Sequence, residues 1–246
     1  MKTLTITLLA VALLTIVSCT PVLYSSVGQN VPLFHEKGEV AFSGSYCEIW
    51  DAKGFSMQFA TAVSSKLAVT SSFYSMNNSS YASEDTWKGN GSYFEVGAGK
   101  YHYSSEKKWT YELIGGLGYG SMRNSYASQA VNANYVKPFF QPSFGISGGI
   151  IEVALTPRIG LVNYVSHSNT MTDAYDAETV ENYFDSKKTT LVFEPGATVR
   201  VGYRNVKLQA QYVYSTFDSE DDSIDPINPE FISIGLHILI TNRFKK

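Results

Sequence analysis

A period-two alternation limits this chain more than any other feature. It recurs in segments of about ten residues or more, apolar side chains on one face and small, amide or charged ones on the other. The stretch "LVFEPGATVRVGY" (191–203) shows the problem it poses. Leu191, Phe193, Val199 and Val201 share one side of an extended chain, and Glu194 and Arg200 share the other. The same pattern runs through "GFSMQFATAV" (54–63), "WTYELIGGLGYG" (109–120), "IIEVALTPRIGL" (150–161) and "FISIGLHILI" (231–240). It predicts strands near 39–48, 54–64, 67–76, 92–104, 109–121, 133–147, 150–165, 189–204, 206–217 and 230–241.

The connections alternate in length. Tight turns are expected at 64–66, 105–108, 148–149 and 204–205, and long polar links at 77–91, 122–132, 167–188 and 218–230. Short turns at one end, long loops at the other and an even strand count describe an outer-membrane barrel. Strand length points the same way. A tilted strand needs about 9–11 residues to cross a bilayer, whereas soluble strands average about 5–6. Tyr93, Tyr101, Tyr103, Trp109, Tyr119, Tyr135, Tyr164 and Tyr203 fall near strand ends, where interfacial girdles are expected. The expected fold is all-β: a single antiparallel transmembrane barrel of about ten strands in an up-and-down meander, with eight to twelve strands open.

Composition narrows the partners. Charged residues make up 17% of the 246-residue chain, against about 25% in ordinary soluble domains. The net charge is −3 with no basic tract, so no nucleic-acid partner is expected. Lys2 followed by the apolar residues 4–17 reads as an export signal. Ile16-Val17-Ser18-Cys19 resembles a bacterial lipobox, which implies cleavage before Cys19 and lipidation of its sulfur. The expected organisation is a signal peptide (1–18), a lipidated N-terminus and periplasmic linker (19–38), and a barrel domain (39–246). Cys19 would sit in the periplasmic leaflet of the outer membrane, with the long loops outside. Cys47 is then the one thiol left, which excludes an internal disulfide and a cysteine-rich metal site.

With the apolar faces turned to lipid, the polar faces line the lumen. The expected lumen network is Glu95, Glu112, Lys137, Glu152, Arg158, Glu194, Arg200 and His237, joined by Gln141, Gln209 and Gln211. Turning such charges to lipid at the midplane would cost roughly 2–4 kcal/mol per Arg or Lys. Glu194 and Arg200 lie about 20 Å apart along one strand, so their partners must come from neighbours, Arg158 and Glu152 first. Mixed signs suggest a cross-linked, plugged interior, since about eight strands leave room only for side chains. A narrow channel for small solutes is the alternative.

Several pieces of the chain together resemble the small outer-membrane β-barrel lipoproteins of the Bacteroidota type. They are "VPLFHEKGE" (31–39), "YFEVGAG" (93–99), "FFQPSFG" (139–145), "FEPGATVRVGY" (193–203), "VKLQAQ" (206–211) and "ISIGLH" (232–237). The resemblance implies fold and location, and carries no reaction. Outer-membrane lipid and lipopolysaccharide are the expected partners, with a small solute or an extracellular ligand at the long loops as the further candidates.

No catalytic residue, cofactor or metal is assigned. A hydrolase would need a histidine beside a nucleophile and a carboxylate, and only His167 with Ser166, Ser168, Asp173 and Asp176 approaches that. The acidic run Asp218, Glu220, Asp221, Asp222 and Asp225 lacks the glycine and distal glutamate of a calcium loop. The chain ends "TNRFKK", with Phe244 short of the terminus, unlike barrels that end on an aromatic.

Overall fold

A computed structural model of the protein describes residues 21–49, 52–77, 88–217 and 227–241. The signal segment, Cys19, the acidic run from Asp218 to Asp225 and the final "NRFKK" lie outside them.

Ten antiparallel strands close into a barrel. We number them β1 (Val40–Ile49), β2 (Ala52–Ala62), β3 (Leu67–Asn77), β4 (Lys88–Ser104), β5 (Trp109–Tyr126), β6 (Gln129–Ser147), β7 (Ile151–Asn169), β8 (Thr189–Tyr203), β9 (Val206–Tyr214) and β10 (Glu230–Ile240). Each pairs with its neighbours in sequence, and β10 closes the ring on β1 through the pairs from Ser233 with Cys47 to Ile240 with Val40. Closure satisfies every strand edge within the sheet, which a lipid environment requires. The alternation then sorts the faces. Leu155, Leu117, Leu191, Ile234 and Leu236 point outward and are exposed, while Glu194, Arg200, Arg158 and Lys137 point inward and are buried.

On β5 the outward apolar run from Trp109 to Tyr119 spans roughly 25 Å along the barrel axis, at about 3.3 Å per residue and about 40° of tilt. Beyond Tyr119 the outward residues turn polar: Ser121, Arg123 and Ser125 on β5, and Asn132 and Asn134 on β6. The strands therefore project past the apolar band at the long-loop end. For this reason the expected polar link at 122–132 is not a loop. β5 runs on to Tyr126, and β6 starts at Gln129 after a tight turn with Ala127 at φ 50°. The expected link at 167–188 is also more ordered than predicted. β7 continues through His167 to Asn169, and a helix, α1 (Ala174–Ser186), follows. Asp173 caps that helix by accepting from the Asp176 amide at 3.2 Å.

Half of the predicted aromatic girdle faces the other way. Tyr93, Tyr101, Tyr135 and Tyr164 are buried in the lumen, because each shares its strand parity with an inward charge or amide. Tyr93 stands two residues from Glu95, and Tyr135 two from Lys137. Tyr119 and Tyr203 do face outward, joined by Tyr46, Tyr111, Tyr212 and Tyr214.

The largest correction concerns residues 19–38. They do not form a periplasmic linker where the structure describes them. Residues 21–34 are buried almost throughout and run lengthwise through the lumen. Val22 packs at the long-loop end and Phe34 meets Tyr101 at the short-turn end, with ring centroids 5.8 Å apart. The physical reason is composition: Val22, Leu23, Tyr24, Val27, Val31, Leu33 and Phe34 are too apolar to stay solvated. A ten-stranded ring also leaves more room than side chains alone can fill.

Two outcomes are expected of this architecture. Refolded protein should migrate faster on SDS gels unheated than boiled, and a mature chain soluble without detergent would contradict the fold. Leu155→Arg, placed mid-band, should lower the unfolding free energy in lipid by roughly 2–4 kcal/mol, read by urea titration.

Candidate functional site

The lumen holds two charge clusters, one above the other, with the N-terminal segment threaded between them. Cross-strand register builds both. On β7 and β8, Arg158 lies directly opposite Glu194, and Glu152 opposite Arg200. Side chains opposite one another on one face are neighbours, so each acid meets a base from the next strand.

The upper cluster centres on Glu194. Arg158 donates through Nε at 2.7 Å, and Lys137 Nζ lies 3.1 Å away. Tyr24 Oη donates to Glu194 Oε1 at 2.6 Å, and Ser215 Oγ does so at 3.0 Å. Arg158 also reaches Glu95 through Nη1 at 3.2 Å. Two cations therefore face two carboxylates, and the cluster is neutral when all four are charged. Lys137 stands over the rings of Tyr93 and Tyr24, 4.8 Å and 5.4 Å from their centroids.

The lower cluster centres on Glu152, which accepts from Arg200 Nη1 at 3.3 Å and from Lys207. Arg200 Nε donates to Gln209 Oε1 at 2.8 Å, and Arg200 Nη2 to the Val31 carbonyl at 2.6 Å. Glu112 accepts from the Leu33 amide at 2.8 Å. Its other oxygen finds no hydrogen-bond partner among the described residues. His237 sits beside Ser43, with Nδ1 at 2.8 Å from Oγ.

The eight residues expected in the lumen are thus all inside it. They fall into two groups, Glu95, Lys137, Arg158 and Glu194 above, and Glu112, Glu152, Arg200 and His237 below. Sequence reasoning missed Lys207, Tyr24 and Ser215. Lys207 shares the parity of Gln209 and Gln211, a signal present in "VKLQAQ" but hidden by its place beside the Arg204-Asn205 turn. Tyr24 was out of reach once its segment was assigned to the periplasm.

The wall is shaped to the threaded segment. Gln211 receives the Gln29 amide at 2.8 Å and returns a bond to the Gln29 carbonyl at 2.8 Å. Gln141 donates to the Asn30 carbonyl at 2.8 Å. Leu33 rests on Gly145, where an added Cβ would lie 2.4 Å from its side chain. Gln29 rests on Gly196 in the same way, at 2.2 Å. Leu33 itself adopts φ 55°, a strained conformation for a γ-branched residue. Its amide bond to Glu112 and its seat on Gly145 hold it there.

A layer of rings covers the upper cluster. Tyr135 packs on Tyr24, Tyr93 and Tyr164, with centroids 5.4, 6.2 and 6.0 Å away. Phe184 of α1 closes the stack on Tyr164 at 5.3 Å. The residues considered for hydrolysis do not assemble a triad. A β-bulge beside Tyr135 shifts the parity of β7, so His167 lies on the inner face opposite Ala133, where it pairs with Glu181 at 2.9 Å and stacks on Phe184. The hydroxyls of Ser166 and Ser168 instead accept from Asn134 and Asn132. Asp173 caps α1, and Asp176 lies in its first turn.

Glu194→Ala would take from Lys137 its carboxylate partner and leave two buried cations facing Glu95 alone. The expected loss is about 3–5 kcal/mol of unfolding free energy, measured by urea titration in lipid. Tyr24→Phe removes one charge-assisted hydrogen bond and should cost about 1.5–3 kcal/mol. Unchanged stability in both would contradict the threaded, paired lumen.

No protein-family model matches the chain, and no curated protein matches it in sequence. Among solved structures it resembles Ail, the attachment invasion locus protein of Yersinia pestis. The crystal structure of Ail aligns with a TM-score of 0.39 and 13% identity, over 83% of this chain and 99% of that one. The backbone structure of Ail in a phospholipid bilayer nanodisc aligns with a TM-score of 0.37 and 16% identity, over 83% of this chain and 100% of that one.

Proposed function

We propose that the protein is an outer-membrane β-barrel lipoprotein with a closed lumen, serving as a structural and surface-interaction barrel. The observation that carries this reading is the occupied interior. An extended chain runs through the barrel lengthwise, and both charge clusters bind it, through Tyr24 above and the Val31 carbonyl below. A channel needs mobile water and exchangeable charges along its axis. Here Arg158 and Lys137 are fully buried and bound to Glu194.

The outward apolar band, flanked by Tyr46, Tyr111, Tyr119 and Tyr203, supports a bilayer as the surrounding medium. Acylation at Cys19, and kinship with the Bacteroidota-type lipoproteins, rest on the sequence patterns described above. The polar strand extensions and α1 offer the surface that lipopolysaccharide or an extracellular ligand would meet. No reaction is proposed, because His167 is committed to Glu181 and Phe184.

The test is bilayer conductance of the purified, refolded full-length mature chain. Silence over long recordings is the expected result. Steady single-channel steps, altered by Arg200→Ala or Glu194→Ala, would establish a narrow channel instead.

A further inference from the structure

The direction of the threaded segment has a consequence for which side of the membrane the N-terminus occupies. Residue 40 begins β1 at the short-turn end, where the Gly38 amide binds the Ala62 carbonyl at 2.8 Å. Reading backward from there, the segment climbs the whole lumen. The Leu33 amide meets Glu112, the Val31 carbonyl meets Arg200, and the Val27 carbonyl meets Arg158. At the top, Asn124 brackets Val22, accepting from its amide at 3.1 Å and donating to its carbonyl at 2.8 Å. Tyr24 and Ser25 there pair in parallel with Ile227 and Asn228 of the last long loop. Asn124 stands five residues beyond Tyr119, the outward aromatic at the band's edge. That is roughly 13 Å of height above the apolar band, at about 3.3 Å per residue and about 40° of tilt.

The wall groups that hold the segment bind mostly its backbone. Asn124, Arg158, Gln211, Gln141, Arg200 and Glu112 each hold a main-chain amide or carbonyl of residues 22–33. Such contacts recognise an extended polypeptide as a chemical class. The glycines at 145 and 196 add the clearance that this particular chain needs.

We propose that the lumen is a polypeptide tunnel through which the protein threads its own N-terminus, so that the chain before Pro21 emerges on the long-loop side of the membrane. This rests on the membrane-spanning reading above. It also revises the placement of the anchor. Two residues reach at most about 7 Å, so an acyl group on Cys19 belongs to the leaflet on the long-loop side. A lipid in the periplasmic leaflet and long loops outside the cell cannot both hold while the segment fills the lumen.

Paired cysteine labelling in sealed vesicles tests it without knowing how the barrels insert. In a Cys19→Ser, Cys47→Ala background, Thr20→Cys is combined either with Glu178→Cys on the exposed face of α1 or with Gly149→Cys. Gly149 lies in a tight turn at the opposite end, where an added Cβ meets nothing within 4 Å. A membrane-impermeant polyethylene-glycol maleimide then reports sidedness as a gel shift, and heat-modifiable migration confirms that each variant is folded. Threading predicts that Thr20→Cys/Glu178→Cys molecules carry two tags or none, whereas Thr20→Cys/Gly149→Cys molecules carry one. The reverse pattern, or no tag at Thr20→Cys in either pair, would overturn the threading and leave the barrel reading intact. Two tags on every pair without detergent would overturn the membrane-spanning reading and the threading with it.

Discussion

Everything inside this barrel depends on the Glu194 carboxylate. It sits in a closed interior, where an isolated ion would be costly, and four donors from four parts of the chain converge on it. Arg158 comes from β7, Lys137 from β6, Ser215 from just beyond β9, and Tyr24 from the N-terminal segment. Three of these belong to the wall and one to the chain threaded through it, so the ion cluster both braces the sheet and anchors the occupant. The lower cluster around Glu152 repeats the arrangement, with Arg200 reaching across to the Val31 carbonyl. The upper cluster sets Arg158 and Lys137 against Glu194 and Glu95, and the lower sets Arg200 and Lys207 against Glu152.

The outer surface follows from the opposite requirement. Lipid offers no hydrogen bonds, so the sheet must close and its outward side chains must be apolar across the band. Above the band that requirement lapses. Strands β4 to β7 continue into water with asparagine and serine outward, stitched by the Asn134–Ser166 and Asn132–Ser168 bonds. The helix α1 then folds its buried Val180 and Phe184 against the ring layer over the lumen. The barrel is thus capped at the long-loop end by a helix and filled along its length by a strand-like segment.

Much of this was legible in the alternation. A ring of about ten strands follows from strand length and the alternation of short turns with long links, and the inward face of each strand follows from parity, because a one-residue slip would turn every charge to lipid. The Arg158–Glu194 and Glu152–Arg200 pairs follow from adjacency once the ring is closed. Parity also held information that was overlooked: Tyr93 and Tyr135 share faces with Glu95 and Lys137, and Lys207 with Gln209. The threaded segment was not legible in the same way. Its seven apolar residues between Val22 and Phe34 argued against a solvated linker, yet no periodicity says which cavity an irregular chain will fill. The strand extensions past Tyr119 were hidden for a related reason, since polar outward residues remove the contrast on which alternation depends.

The central claim is that the N-terminal segment occupies the lumen as part of the folded barrel. Hydrogen exchange on the refolded protein in lipid tests it directly, through peptides covering residues 21–35. The backbone amides of Gln29 and Leu33, held by Gln211 and Glu112, should exchange as slowly as those of the neighbouring strands. Exchange of the whole segment at the rate of a free linker, with the strands still protected, would contradict the account.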